Sequence, residues 1–222
     1  MIKSRPSVAK VVKDMVYLHP AIKECLTLDV INHSALAMLV LEELKRKGIT
    51  TSPGAVKMAL IRTGEELKQK KATLERKINA VVAGTVIELQ TDLRVITAEK
   101  SAVLSSIRRI SKLAETARFF QLTQGVCTFT LVISREEAES IMETLTSHIV
   151  ESIADQTAIV LISPHEIIET PGVVSYITGA LSSMGINITQ VISCHKDTIY
   201  VLDREKAPAA YRLLEEIILS MR

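Results

Sequence analysis

The chain has 222 residues, 47% hydrophobic and 23% charged, with a formal net charge of +2, enough for two or three small domains with cores of their own. Charged residues interrupt every apolar stretch well short of the roughly 20 residues that cross a bilayer, which excludes a membrane-spanning helix. Three cysteines (Cys25, Cys127, Cys194) without a C-x-x-C pair speak against a disulfide framework or zinc site, and an N-terminus lacking a long apolar centre speaks against a secretory leader, so the expected location is the cytoplasm.

Up to about Val82 the pattern is helical. Leu36, Leu39, Val40 and Leu44 recur at spacings of three and four, Lys45, Arg46 and Lys47 stand where cations complement the helix dipole, and Gly48 follows as a stop. Ser52 and Pro53 then supply an N-cap and a first helical residue for a second helix, which carries Val56, Ala59 and Leu60 on one face and runs toward Arg76. Gly64 is a place where it kinks or ends. Residues 1–80 hold 15 Lys and Arg against 8 Asp and Glu, the remainder 12 against 17. A basic front suits either a polyanion contact or a well-solvated helical surface.

From Gly84 onward short β-rich runs alternate with single helices. Strands are expected over residues 85–91 and 93–98, a helix over 101–114, a hairpin of 117–123 and 127–133 turning at Gln124 and Gly125, and a helix over 135–145. The same order returns: a strand over 157–163, a helix over 172–184, strands over 187–194 and 198–203, and a helix over 206–221. With an offset of 69 the run from Leu131 to Ala138 falls on that from Tyr200 to Ala207, which reads as a duplicated unit. The predicted fold class is α+β: two tandem ferredoxin-like (βαββα) domains, residues 84–154 and 155–222, behind an all-helical domain, residues 1–83. The second repeat lacks a last strand at its C-terminus. Residues 85–91 or a second chain are expected to fill that edge in the second copy.

Thr170-Pro171-Gly172-Val173-Val174-Ser175-Tyr176-Ile177, then Gly185-Ile186-Asn187-Ile188, then Thr198 to Asp203, resemble the ACT domains of the aspartokinase regulatory region. The resemblance implies a pair of ACT domains packed side by side or across a dimer, with an amino acid held between the loop before the first helix and the start of the second strand. On this sequence the ligand residues are then Glu169, Thr170, Pro171, Gly172, Val173, Asn187, Ile188 and Thr189. The residue chemistry suits that placement. Pro171 fixes the start of the helix, Gly172 leaves backbone amides open to a carboxylate, Asn187 both donates and accepts, and Thr189 adds a hydroxyl. A bulky residue at Gly172 is expected to abolish binding while leaving the fold intact. The first copy departs from the pattern, with Ala102 and Val103 where Pro171 and Gly172 would stand and Arg118 in the place of Asn187, so its site reads as degenerate.

No Gly-rich phosphate loop, nucleophile elbow or His-Glu-x-x-His occurs in the sequence, and about 80 mostly helical residues cannot hold a kinase core. No catalytic residue, metal site or cofactor is therefore expected. His165 lies in the long loop of the second copy, beside the candidate site. Two helices about Gly48 have the outline of a helix-turn-helix, which would bring Ser52, Lys57 and Arg62 near DNA; a protein-interaction or dimerisation arm reads equally well. The expected function is a cytoplasmic, homodimeric, amino-acid-sensing regulator that is not an enzyme, its output carried by the helical domain, either to DNA in transcriptional control or, as the alternative, to a biosynthetic enzyme it would serve as a stand-alone regulatory subunit.

Overall fold

The computed structural model describes residues 7–222; the first six residues of the expected helical domain lie outside them. The chain divides into two compact units, Met1–Lys77 and Ile78–Arg222.

In the first unit α1 (Val8–Leu18), α2 (Pro20–Leu28), α3 (His33–Arg46) and the start of α4 (Pro53–Ala83) follow one another. At α1, α3 and α4 a side chain accepts from amides that the first helical turn leaves free, while α2 begins at Pro20 with no side-chain cap. Ser7 Oγ accepts from the Lys10 N–H, Asn32 Oδ1 from those of Ser34 and Ala35, and Ser52 Oγ from that of Ala55. The core joins Val12, Val16, Leu26, Leu36, Val40, Leu44, Val56 and Leu60. Leu39, expected on that buried stripe, is 65% exposed. The buried residues of α3 are Leu36, Ala37, Val40, Leu41 and Leu44, and at about 100° per residue Leu39 points about 130° from their centre. Gly64 does not end α4. An added Cβ there would make only ordinary contact with α2, its nearest neighbour being the Leu26 carbonyl oxygen at 3.5 Å, and the helix runs through it, 31 residues in all.

The second unit is a six-stranded antiparallel sheet in the order β2-β3-β1-β4-β6-β5. Its strands are β1 (Val86–Glu99), β2 (Phe120–Gln124), β3 (Thr128–Ser134), β4 (Ile149–Ile162), β5 (Gln190–Cys194) and β6 (Asp197–Asp203). Between and after them run α5 (Lys100–Ser105), α6 (Ile107–Thr116), α7 (Arg135–Leu145), α8 (Val173–Ser183) and α9 (Ala207–Met221). The order β-α-β-β-α occurs twice, with the helix expected over 101–114 broken at Ser106 into α5 and α6.

The two strands expected over 85–91 and 93–98 are one strand, and β4 begins eight residues before the expected 157. Each long strand is interrupted midway by an aspartate in the left-handed region, Asp92 with φ 56° and Asp155 with φ 51°. The pairing register slips there, as a β-bulge requires. Arginines tie both bulges: the Arg118 guanidinium donates to the Thr91 carbonyl at 2.8 Å and to Gln90 Oε1 at 3.1 Å, while Arg204 pairs with the Asp92 carboxylate and donates its N–H to the Asp155 carbonyl. The consequence is reciprocal. Residues 86–90 pair with residues 158–162 and fill the edge expected to be short in the second repeat, and the first half of β4 does the same for the first repeat.

One face of the first repeat is covered by helices, with Ile96, Leu131 and Ile133 packed on Val103, Ile110 and Ile141. The opposite face buries Leu93, Val95, Val132, Ala158, Ile199 and Val201 together. It does so because the sheet curls: Cys194 Sγ on β5 lies 3.8 Å from Gln121 Oε1 on β2.

Candidate functional site

Residues 163–172 connect β4 to α8 and are anchored at their start. The Ser163 N–H donates to the Lys196 carbonyl at 3.1 Å, Ser163 Oγ lies 3.0 Å from Thr85 Oγ1, and the Pro164 ring rests on Gly84, where a Cβ would come within 2.6 Å of it. A single 3-10 turn, His165–Ile168, follows. His165 meets His195 edge to face, with ring centroids 5.6 Å apart. Thr170 is buried, Glu169 and Pro171 are exposed, and Gly172 is the N-cap of α8 with φ +95°, a conformation open to glycine. Having no side chain, it leaves the first-turn amides of Val173 and Val174 without a side-chain cap. Opposite stands Ile78, whose Cδ1 would lie 3.2 Å from a Cβ on Gly172.

The other half of the expected ligand set lies elsewhere. Asn187, Ile188 and Thr189 follow the C-terminus of α8, and the 11 residues of that helix separate the two groups by about 16 Å. Thr189 is occupied: its hydroxyl donates to Gln156 Oε1 at 2.7 Å and its N–H to the Val201 carbonyl at 2.8 Å. Within one chain, Glu169 to Val173 form one cluster and Asn187 to Thr189 a second, and one amino acid does not touch both.

Behind Val173 and Val174 is a cavity of about 10 Å³ that sequence reasoning missed. Thr85, Ser163, Thr198 and Tyr200 bring hydroxyls to its wall, and Val82, Ile167 and Ile218 close it. Among the described residues, Thr157 Oγ1 and Thr198 Oγ1 are the buried side-chain hydroxyls without a hydrogen-bond partner. The Tyr200 phenol is satisfied. It donates to the Val174 carbonyl at 3.3 Å and lies 3.1 Å from Thr178 Oγ1. Burial raises its pKa above the ordinary tyrosine value, partly offset by Thr178. A tyrosine held neutral in the fold stabilises it fully below the unfolded pKa of about 10, and that contribution is lost as pH rises beyond it. Tyr200→Phe is accordingly expected to cost about 0.5–1.5 kcal/mol near neutrality and to reduce the alkaline loss of stability, both read by urea denaturation across pH.

In the helical unit the expected DNA-contacting residues do not share a face. Ser52, Lys57 and Arg62 are five residues apart, so each lies about 140° around α4 from the last. Ser52 caps the helix, Lys57 Nζ donates to Ser34 Oγ at 3.0 Å, and Arg62 borders an open groove with Lys10 and Lys13 of α1. Lys13 is paired with Glu66 at 2.7 Å.

Among the described residues no group of three or more His, Cys, Asp or Glu is placed to hold a metal ion, and no helix is long and apolar enough to cross a membrane. Residues 151–216 match the family model of the ACT domain. That stretch takes in most of β4, α8, β5, β6 and most of α9, and so includes the α8 N-terminus, while Val82, Thr85 and Ile218 of the cavity wall lie outside it. No curated protein matches the chain. Among solved structures, the aspartate kinase of Clostridium acetobutylicum superposes with a TM-score of 0.51 at 19% identity, over 60% of this chain and 34% of that one. The chain thus spans about a third of that enzyme. The regulatory subunit of aspartate kinase from Thermus thermophilus, in its ligand-free form, gives 0.49 at 17% identity, over 59% of this chain and 95% of that one. At such identities the likeness is one of fold: a mixed α/β, ACT-like unit, here preceded by a helical region.

Proposed function

We propose that the chain is an amino-acid-responsive regulator in which two ACT-like repeats, residues 84–154 and 155–222, form the sensor and the helical region carries the output. The observation that supports this reading most strongly is the uncapped N-terminus of α8 inside the matched ACT domain, where Gly172 leaves amide donors bare in the way a carboxylate requires. In this reading the protein is non-catalytic and cytoplasmic and works as a dimer. Asn187, Ile188 and Thr189 then belong to a second contact made across copies, because the helix between keeps them from the Gly172 cluster of their own chain.

The output is DNA binding in transcriptional control. The excess of Lys and Arg in the front part of the chain supports it, and α2 and α3, joined through Asp29 in the left-handed region and capped by Asn32, offer a helix-turn-helix in place of the pair about Gly48. A second reading, a regulatory subunit that binds a biosynthetic enzyme, is favoured by the dispersal of Ser52, Lys57 and Arg62 over different faces of α4. Gel-mobility shifts on genomic fragments, run with and without each amino acid, separate the two. The transcriptional reading expects retarded DNA whose affinity changes with one amino acid; no retardation under any condition removes it, and co-purification of an enzyme from native lysate would support the other.

A further inference from the structure

We infer that the helical face of the first repeat, formed by α6 and α7, is a self-complementary docking surface for the same face of a second copy of the chain. Both helices cover one side of the sheet, α6 through Ile110 and Leu113 and α7 through Ile141 and Leu145. The residues turned away from that core differ in charge. α6 exposes Arg108, Arg109 and Lys112 against a single acid, Glu115, and α7 exposes Glu136, Glu139 and Glu143 against a single base, Arg135. On α7 the three acids recur at spacings of three and four and form one stripe opposite Ile141, and on α6 Arg108 and Lys112 stand a turn apart opposite Ile110.

The two sets do not neutralise each other within the chain. Among the described residues, Arg108, Arg109, Lys112, Glu139 and Glu143 take part in no salt bridge, and Glu136 reaches only Arg118, at 3.9 Å. This decides what kind of partner fits. A polyanion drawn to α6 would meet the acids of α7, and a polycation drawn to α7 would meet the bases of α6. A partner must offer both signs side by side, and the face itself does. A two-fold axis lying in the interface and running between the helices sets α6 of one copy on α7 of the other and α7 on α6, so each charged stripe meets its opposite. Leu104 and Ile107, exposed at the break between α5 and α6, add apolar contact at the margin. Helices of 10 and 11 residues, each about 10 Å wide, offer less than the roughly 800 Å² per partner of a standard interface. Association is therefore expected to be weak, and to weaken further with salt because exposed charges are screened. The inference goes beyond the reading above, since it gives the first repeat, whose sequence departs from the ligand pattern, a part of its own.

The test is sedimentation velocity on the full chain over a concentration series at low and at high salt, with two charge-reversed variants, Arg108→Glu with Lys112→Glu and Glu139→Lys with Glu143→Lys. All four side chains are exposed, so the fold is expected to be kept, which circular dichroism checks. Wild type is expected to self-associate in a step that salt weakens. Each variant sets like charge against like and is expected to lose that step by about tenfold or more in affinity. An equimolar mixture of the two variants, in which each stripe again meets its opposite, is expected to regain it. Absence of a salt-weakened step in wild type, self-association of either variant at wild-type strength, or a mixture that stays apart each overturns the surface. Any association through the second repeat, which contains none of these residues, persists in both variants, so failure of this surface and failure of the sensor's own contact across copies are told apart.

Discussion

Replacing Gly172 by valine is expected to destabilise the chain by about 2–6 kcal/mol and to remove its response to ligand. Two costs combine. At φ +95° a β-branched residue is held in a region that L side chains avoid, at about 1–3 kcal/mol. Its Cβ would also stand 3.2 Å from Ile78 Cδ1, and Ile78 is buried on α4 with Val81 and Val82, so relief requires shifting packed neighbours, about 1–3 kcal/mol more. The sequence alone suggested that a bulky residue here would block binding and spare the fold. The structure overturns that, because the glycine is required by the backbone before any ligand arrives. Gly179, in the middle of α8 with nothing within 4 Å of an added Cβ, is the contrasting site: Gly179→Ala is expected to gain up to about 1 kcal/mol from helix propensity. Urea denaturation of both variants checks the contrast, and equal effects at the two glycines would refute it.

How far the sequence carried this account depended on whether the signal was local. Helix α7 was legible to the residue, and Ser52 with Pro53 marked the start of α4, since caps and periodicity are written in adjacent residues. The single strand β1 was expected as two, divided at Asp92, where a bulge does lie, and pairing with β4, more than 60 residues away, carries the strand through it. The first half of β4, Ile-Val-Glu-Ser-Ile-Ala-Asp, was missed for a related reason: it has no buried residue, most of it is exposed, and it is held by a strand distant in sequence. Gly64 looked like a place to kink or stop, but α4 runs through it from Pro53 to Ala83. At the candidate site, the motif joined Gly172 at the start of α8 to Asn187 and Thr189, which lie beyond the other end of that helix. Thr198 stood in a motif that carried the resemblance, but nothing in the sequence marked its hydroxyl, because a lack of a partner exists only once strands and helices have surrounded it.

The second large effect is the ligand's own. A molecule that binds the folded chain and not the unfolded one, present at roughly 100 times its dissociation constant, adds about 2.7 kcal/mol, which for a chain of this size corresponds to roughly 5–11 °C in midpoint. That increment is comparable to the cost expected of Gly172→Val, so the two are measurable in one series of melts. The most direct test of the account is therefore the melting midpoint of the wild-type chain against each amino acid in turn, repeated on a folded population of Gly172→Val. The account predicts a rise of several degrees with one or a few amino acids, absent in the variant. A flat response across all of them, or a rise that persists when Gly172 is replaced, would contradict it.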